Sequence, residues 1–311
     1  MENDLNYEAE ANLVKVDVNL NLDCVVGQPA AISLLRRLVD QIKYASVFEY
    51  WGISKPVGLA LVGPPGVGKT LSIRALANEV NCPLMELKYE DIASHLYDES
   101  IRRLATFREQ ATAIARDYGH IIILIDEGDI FFQSRSDKNT HASDVKKTSF
   151  FLRWLDGDLE GTDDITLVVT SNNWDSVDPA IRRPGRFLKV EYNRLKPEDI
   201  SEAFQIHIDL AEKRTGKKLF NLENLDFLKN RINQIPGAGI NAIVNIALEL
   251  KAQEQLSLLK ESGFTEETLT LSAIKESIVP LIDEDDLIIA INKYLLEINP
   301  QKERGIGFAG S

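Results

Sequence analysis

A chain of 311 residues with 44% hydrophobic and 27% charged side chains has the make-up of an ordinary globular protein, and at about 150 residues per domain its length predicts two domains with real cores, not a disordered or fibrous chain. Its 48 acidic against 35 basic residues leave a formal charge of −13, which argues against a protein whose main task is coating nucleic acid. No apolar run reaches the roughly 18 residues of a membrane span, Met1 to Glu10 is acidic and unlike a signal sequence, and Cys24 and Cys82 form no close pair, so the expectation is a cytoplasmic protein with no disulfide framework and no zinc site.

Residues 1–22 read as an N-terminal extension. Val14, Val16, Val18, Leu20 and Leu22 alternate with Lys15, Asp17, Asn19 and Asn21, a period of two that predicts a half-buried strand. Its partner is either this chain's own domain or a neighbouring subunit. Helical patterns follow over Pro29 to Tyr44 and through Phe48, Tyr50 and Trp51, stopped by Lys55-Pro56.

The apolar run Leu59 to Val62 then leads into Gly63-Pro64-Pro65-Gly66-Val67-Gly68-Lys69-Thr70, which fits the pattern G-x-x-x-x-G-K-[ST] and is followed by helical spacing from Leu71 to Val80. Strand, loop and helix are the context that a phosphate-binding loop requires. Glycines at 63, 66 and 68 let the backbone turn its N–H groups inward, where they and the positive end of the following helix attract an anion. Lys69 would then reach the outer phosphates of a nucleoside triphosphate, and the Thr70 hydroxyl would ligate Mg²⁺.

Beyond the loop, helix and strand alternate: strands at Leu84 to Leu87, Ile121 to Ile125, Ile165 to Thr170 and Phe187 to Val190, with a helix over Ile101 to Arg116. Alternation of this kind predicts a parallel sheet with helices on both faces, an α/β phosphate-loop core over residues 23–194. The apolar strand 121–125 ends in Asp126-Glu127, which places two carboxylates at the sheet edge that carries the phosphate loop. Asp126 is positioned to hold Mg²⁺ and Glu127 to polarise an attacking water. From Pro197-Glu198-Asp199 onward the pattern is all helical, with Gly216, Gly237 and Gly263 as breaks. It predicts a small helical domain over 195–282 and a last helix and tail over 283–311.

Gly63 to Thr70, Ile121 to Glu127 and the block Thr170 to Phe187 (TSNNWDSVDPAIRRPGRF) together resemble the AAA family of AAA+ ATPases, whose second region of homology the last block is similar to. The resemblance covers roughly Cys24 to Leu259 and implies an ATP-hydrolysing, Mg²⁺-dependent ring, with a hexamer as precedent. By position it implies that Asn172 is the sensor near the γ-phosphate and that Arg183 and Arg186 are arginine fingers entering the neighbouring subunit's site. Val25, Val26 and Gly27 match the segment that holds adenine, and Pro64 to Leu71 the phosphate-binding positions. His207 and Gly237-Ala238 resemble lid positions beside the sugar, although Gly239 stands where an acidic residue is usual, and a core role for His207 stays equally open. Asp178-Pro179 reads as a helix start from local physics as well.

In protein-remodelling members of the family a pore loop grips the substrate through an aromatic. The matching segment here is Ser94 to Ser100, with His95, Leu96 and Tyr97 at its centre. Leu96 occupies the aromatic position, Tyr97 follows it, and Asp98 stands where glycine is usual. The polar stretch Gln133 to Lys147 is either a second pore loop or an insert. The twenty-odd residues before the ATPase module are too few for a recruiting domain, so a substrate or adaptor is expected to be read by the pore, the N-terminal segment or the tail. That tail carries Ile306-Gly307-Phe308, similar to a peptidase-docking tripeptide. The expected activity is remodelling of a protein substrate or assembly. A nucleic-acid-associated loader and an ATP-dependent switch without threading are the alternatives.

Overall fold

A computed structural model describes residues 12–53, 58–92, 97–133, 142–159, 164–228, 237–266, 268–270, 274 and 280–298, with the backbone alone for 97, 98 and 142–146. The chain divides into two compact units, Met1–Arg194 and Leu195–Ser311.

The first unit is built on one sheet of five strands: β1 (Gly58–Val62), β2 (Leu84–Glu86), β3 (Ile121–Ile125), β4 (Ile165–Ser171) and β5 (Leu188–Glu191), in the order β2-β3-β4-β1-β5. Every pairing is parallel, with Val62 opposite Ser171 and Ile125 opposite Val169. A parallel sheet needs both faces covered, which is why β3 and β4 are buried at every residue. The helices are α1 (Pro29–Lys43), α2 (Ala45–Tyr50), α3 (Lys69–Val80), α4 (Tyr89–Ile92), α5 (Tyr97–Tyr118), α6 (Gly128–Phe131) and α7 (Ala142–Leu155).

Ile121, Ile123 and Ile125 of β3 share a core cluster with Leu104, Phe107 and Ala111 of α5 and with Phe151 and Trp154 of α7. Phe151 and Trp154 stack at 5.9 Å with their planes 6° apart. The alternate positions Ile122, Leu124 and Val168 are buried as well, as are Ile73 and Leu76 of α3 and Leu35 and Leu38 of α1.

Three expectations for this unit are corrected. Residues 14–22 do not form a strand: Val14 N donates to Leu84 O at 2.8 Å and Glu86 N to Asn12 O at 3.0 Å, leaving one antiparallel bridge, Leu13–Met85, on the edge of β2. The Asp17 carboxylate accepts Asn19 N at 3.0 Å, which folds the chain into a turn, leaves Val18 88% exposed and leads to a short 3₁₀ turn at Leu22–Cys24. Its pairing is thus on its own domain. The stretch Gln133 to Lys147 is not wholly loop or insert, because α7 begins at Ala142; residues 134–141 lie outside the described part. Asp178-Pro179 starts turns and no α-helix: Asp178 Oδ1 accepts Ala180 N at 2.8 Å, but Pro184, which has no N–H and disfavours helix in its predecessor, ends the coil at once. Residues 54–57, with Lys55-Pro56, are outside the described part, as are Ser94, His95, Leu96 and the Ile306-Gly307-Phe308 tail.

The second unit holds α8 (Ile200–Thr215), α9 (Gly237–Glu261) and α10 (Glu284–Ile298). Pro197–Asp199 forms a 3₁₀ lead-in in which Lys196 N donates to the Asp199 carboxylate at 3.1 Å, and Gly216 ends α8 at φ +65°. Phe204, Ile208 and Ala211 of α8, Ile240, Ile243 and Val244 of α9, and Leu287, Ala290 and Ile291 of α10 are buried. Gly237-Ala238-Gly239 forms the first turn of α9, and residues 229–236 before it lie outside the described part. Most of the helical stretches expected over Leu225 to Ile235 and Leu269 to Leu281 lies outside the described residues.

Candidate functional site

The carboxyl ends of β1, β4 and β3 lie side by side, and each releases one polar segment: 63–70 after β1, Asn172 after β4, Asp126 and Glu127 after β3. Ligands of open parallel sheets bind at such ends. Gly63 N donates to Ser171 O at 3.1 Å, and a Cβ at Gly63 would stand 2.3 Å from Tyr192 O, so only glycine lets the loop leave β1 here. Gly66 (φ +75°) and Gly68 (φ +94°) hold left-handed backbone, the second directly before the first residue of α3. Ser72 Oγ donates to Gly68 O at 2.8 Å and pins that corner.

Lys69 is 7% exposed and its ammonium is the hub of the loop. It donates to Gly63 O at 2.6 Å, to Pro64 O at 2.8 Å and to Asn172 Oδ1 at 2.8 Å. Burial pulls its pKa below the ordinary lysine value, while Asp126 and Asp129 oppose that and favour the charged form. Thr70 Oγ1 donates to Asp126 Oδ2 at 3.3 Å. A hydroxyl and a carboxylate converging beside a lysine form an oxygen-only donor set, the chemistry that Mg²⁺ takes together with phosphate oxygens and water. Among the described residues no group of three or more His, Cys, Asp or Glu could hold a metal ion.

Two residues that the motifs did not single out complete this edge. The Thr170 hydroxyl donates to Asp126 Oδ1 and accepts from Glu127 N at 3.2 Å, while Asp129 Oδ1 accepts Asn172 N at 3.3 Å. Thr170 opens the block 170–187, but Thr166 and Ser171 also carry hydroxyls on the same strand, so nothing along the chain marks Thr170 as the one facing Asp126. Glu127 itself sits at φ +54°, a left-handed conformation that costs a non-glycine residue roughly 1–2 kcal/mol and points to a functional constraint. Gly128 makes the turn possible, because a Cβ there would lie 2.1 Å from Val169 Cγ1.

Val25 reaches the loop from the other side: it is buried, and a Cβ at Gly68 would lie 3.6 Å from its Cγ1. Val26 and Gly27 (φ +73°) follow, and buried Gln28 anchors the segment, its Oε1 accepting Asn193 N at 3.0 Å. Pro65, Val67 and Leu71 complete the loop and the start of α3, with Val67 buried.

The three arginines of the block 178–187 have different surroundings. Arg182 donates to Val177 O at 2.9 Å and to Asp175 at 3.1 Å. Arg186 is held by a two-point pair to Asp156, at 2.7 and 2.6 Å, and also donates to Ala180 O. That pair holds the Asp156 carboxyl below the usual carboxylate range. Arg183 is exposed, with no side-chain hydrogen bond among the described residues. His207 lies on α8, where burial first and the Arg214 charge second push its pKa down; Gly237 and Ala238 open α9. Tyr97 is the first residue of α5. No helix of the described residues is long and apolar enough to cross a membrane.

Residues 59–195 match the model of the ATPase family associated with various cellular activities (AAA). The Cell division cycle protein 48 homolog of Archaeoglobus fulgidus is 34% identical over 203 residues, 64% of this chain and 27% of that protein. Protein CdcH of Halobacterium salinarum is 30% identical over 279 residues, 89% of this chain and 35% of that one. The 26S proteasome regulatory subunit 8 homolog of Schizosaccharomyces pombe is 32% identical over 190 residues, 60% of this chain and 46% of that one. The chain therefore spans between a quarter and a half of the length of these relatives.

Proposed function

We propose, for a chain that belongs to the AAA family of ATPases, that it hydrolyses ATP in a ring of identical subunits, with a hexamer as the expected ring, and uses that cycle in the cytoplasm to unfold or remodel a protein substrate. The observation that carries the reading is the convergence of Lys69, Asn172, Thr70 and Asp126 at three adjacent strand ends. Similarity to a subunit named for the 26S proteasome supports a protein as the substrate.

Mg²⁺ held by Thr70 and, directly or through water, by Asp126 would supply charge neutralisation at the phosphates. The N–H groups of 66–71 and the Lys69 ammonium would bind the β- and γ-oxygens, with adenine against Val25, Val26 and Gly27. Glu127 would accept a proton from the attacking water. Asn172 would orient that water or the γ-phosphate. Arg183, exposed and without a side-chain hydrogen bond among the described residues, is the better placed of the two candidates to enter a neighbour's site; Arg186 would first have to leave Asp156. An arginine finger contributes about 10³–10⁵ in rate. His95, Leu96 and Tyr97 would meet the substrate in the pore.

Phosphate release by the full chain with Mg²⁺ and ATP tests the activity, and affinity capture with Glu127→Gln tests the substrate class. The reading expects turnover in the wild type, none in Lys69→Ala, and a specific protein retained by Glu127→Gln in ATP. Stimulation by nucleic acid in place of protein would favour a loader. ATP turnover with no retained protein would favour a switch.

A further inference from the structure

Lys147 on α7 is 4% exposed, yet it is not part of the site described above. Its ammonium lies 4.4 Å from the centre of the Tyr89 ring and 4.9 Å from that of Phe131, and the two rings meet edge to face at 6.3 Å. The three residues belong to three different elements. Tyr89 opens α4, which follows β2 and leads to residues 93–96. Phe131 closes α6, and its backbone N–H donates to the Glu127 carbonyl at 3.1 Å, as that of Ile130 does at 2.8 Å. Phe131 and the left-handed Glu127 are thus one rigid turn, and Lys147 touches that turn and α4 at once.

A charge is a costly way to fill a gap between aromatic rings, because an apolar residue would pack there without losing its hydration. What a cation adds is attraction to two ring faces together, so that a shift of one ring moves the other. Glu127 holds a backbone conformation that only its surroundings maintain, and small shifts at such sites are passed on through packed, discrete contacts. We infer that Lys147 is a positioning residue that couples the Glu127 turn to α4, so that nucleotide bound at Lys69 and Asp126 changes the state of the helix leading into residues 93–96. The inference rests on the proposed nucleotide site and adds to it the route by which that site reaches the segment matched to a pore loop.

The test is hydrogen exchange of the full chain with and without Mg²⁺ and a non-hydrolysable ATP analogue, in wild type, Lys147→Met and Lys147→Arg. The analogue is expected to change exchange at residues 89–92 by about threefold or more in the wild type and in Lys147→Arg, and to leave it unchanged in Lys147→Met while residues 63–70 stay protected in all three. Should Lys147→Met not fold, Tyr89→Leu, which keeps the cation and Phe131, carries the same expectation. An undiminished response at 89–92 in the Met or Leu variant, or none in the wild type, overturns the inference. Because the readout needs binding and not turnover, absence of ATPase activity would count against the proposed function alone.

Discussion

The Lys69 ammonium donates to the Asn172 side chain at 2.8 Å across 103 residues of sequence, tying the phosphate loop after β1 to the end of β4. Asn172→Ala removes a charge-assisted hydrogen bond of about 1.5–3 kcal/mol, so turnover should fall by about 10- to 100-fold. KM for ATP should move much less, because the backbone cradle of 63–70 remains. Steady-state kinetics check this, and an equal loss in binding and turnover would mean that Asn172 serves only to hold the loop.

Gly128 has no room for a side chain against Val169 and Thr170, whereas nothing lies within 4 Å of a Cβ at Gly119. Gly128→Ala is expected to cost about 1–3 kcal/mol as overpacking and to displace Glu127, lowering turnover at nearly constant ATP affinity. Gly119→Ala should cost only the backbone penalty at φ +79°, about 1 kcal/mol, with turnover unchanged. Thermal midpoints and kinetics of the two variants side by side provide the check.

The two-point contact of Arg186 with Asp156 shapes the turn that presents Arg183. Partly exposed pairs contribute at most about 1 kcal/mol, so Asp156→Ala and Arg186→Ala should each destabilise modestly, and the double variant by less than their sum. A denaturation double-mutant cycle measures this coupling. Strict additivity would show that the pair contributes nothing.

His207 titrates below the ordinary value of 6.5 because burial and Arg214 disfavour its charged form. The unfolded chain therefore takes up a proton first as pH falls. Stability attributable to this residue is full above 6.5, declines below it, and stops declining once the folded state's lower pKa is passed. Thermal melts followed by circular dichroism from about pH 8 to about pH 5 should show a smaller acid loss in His207→Gln than in wild type. Equal slopes would remove His207 from the acid response.

How legible this was in the sequence depended on what kind of pattern carried each feature. Uninterrupted apolar runs such as Ile121 to Ile125 marked the strands because a parallel sheet hides both faces, and the glycine-lysine pattern marked the loop because its backbone geometry admits few other residues. Thr170 and Asp129 escaped notice because their parts depend on partners brought near only by the sheet order, which no spacing along the chain encodes. Residues 14–22 misled because Asp17 makes a local turn that overrides an alternating pattern. Asp178-Pro179 misled because Pro184, a few residues on, stops the helix it would start. The spacing of Phe151 and Trp154, three residues apart on α7 and both in the core, is a helical signal that the alternation of apolar runs does not carry.

The central claim is that Glu127 in one subunit and Arg183 from its neighbour complete a single hydrolytic site. Glu127→Gln and Arg183→Ala should each be nearly inactive alone, by about 10³-fold or more for the arginine. Mixed and allowed to reassemble, they should regain measurable ATP turnover, because some sites then pair an intact glutamate with an intact arginine. Turnover in the mixture no higher than in the two separate preparations, or full activity of Arg183→Ala on its own, would contradict the account.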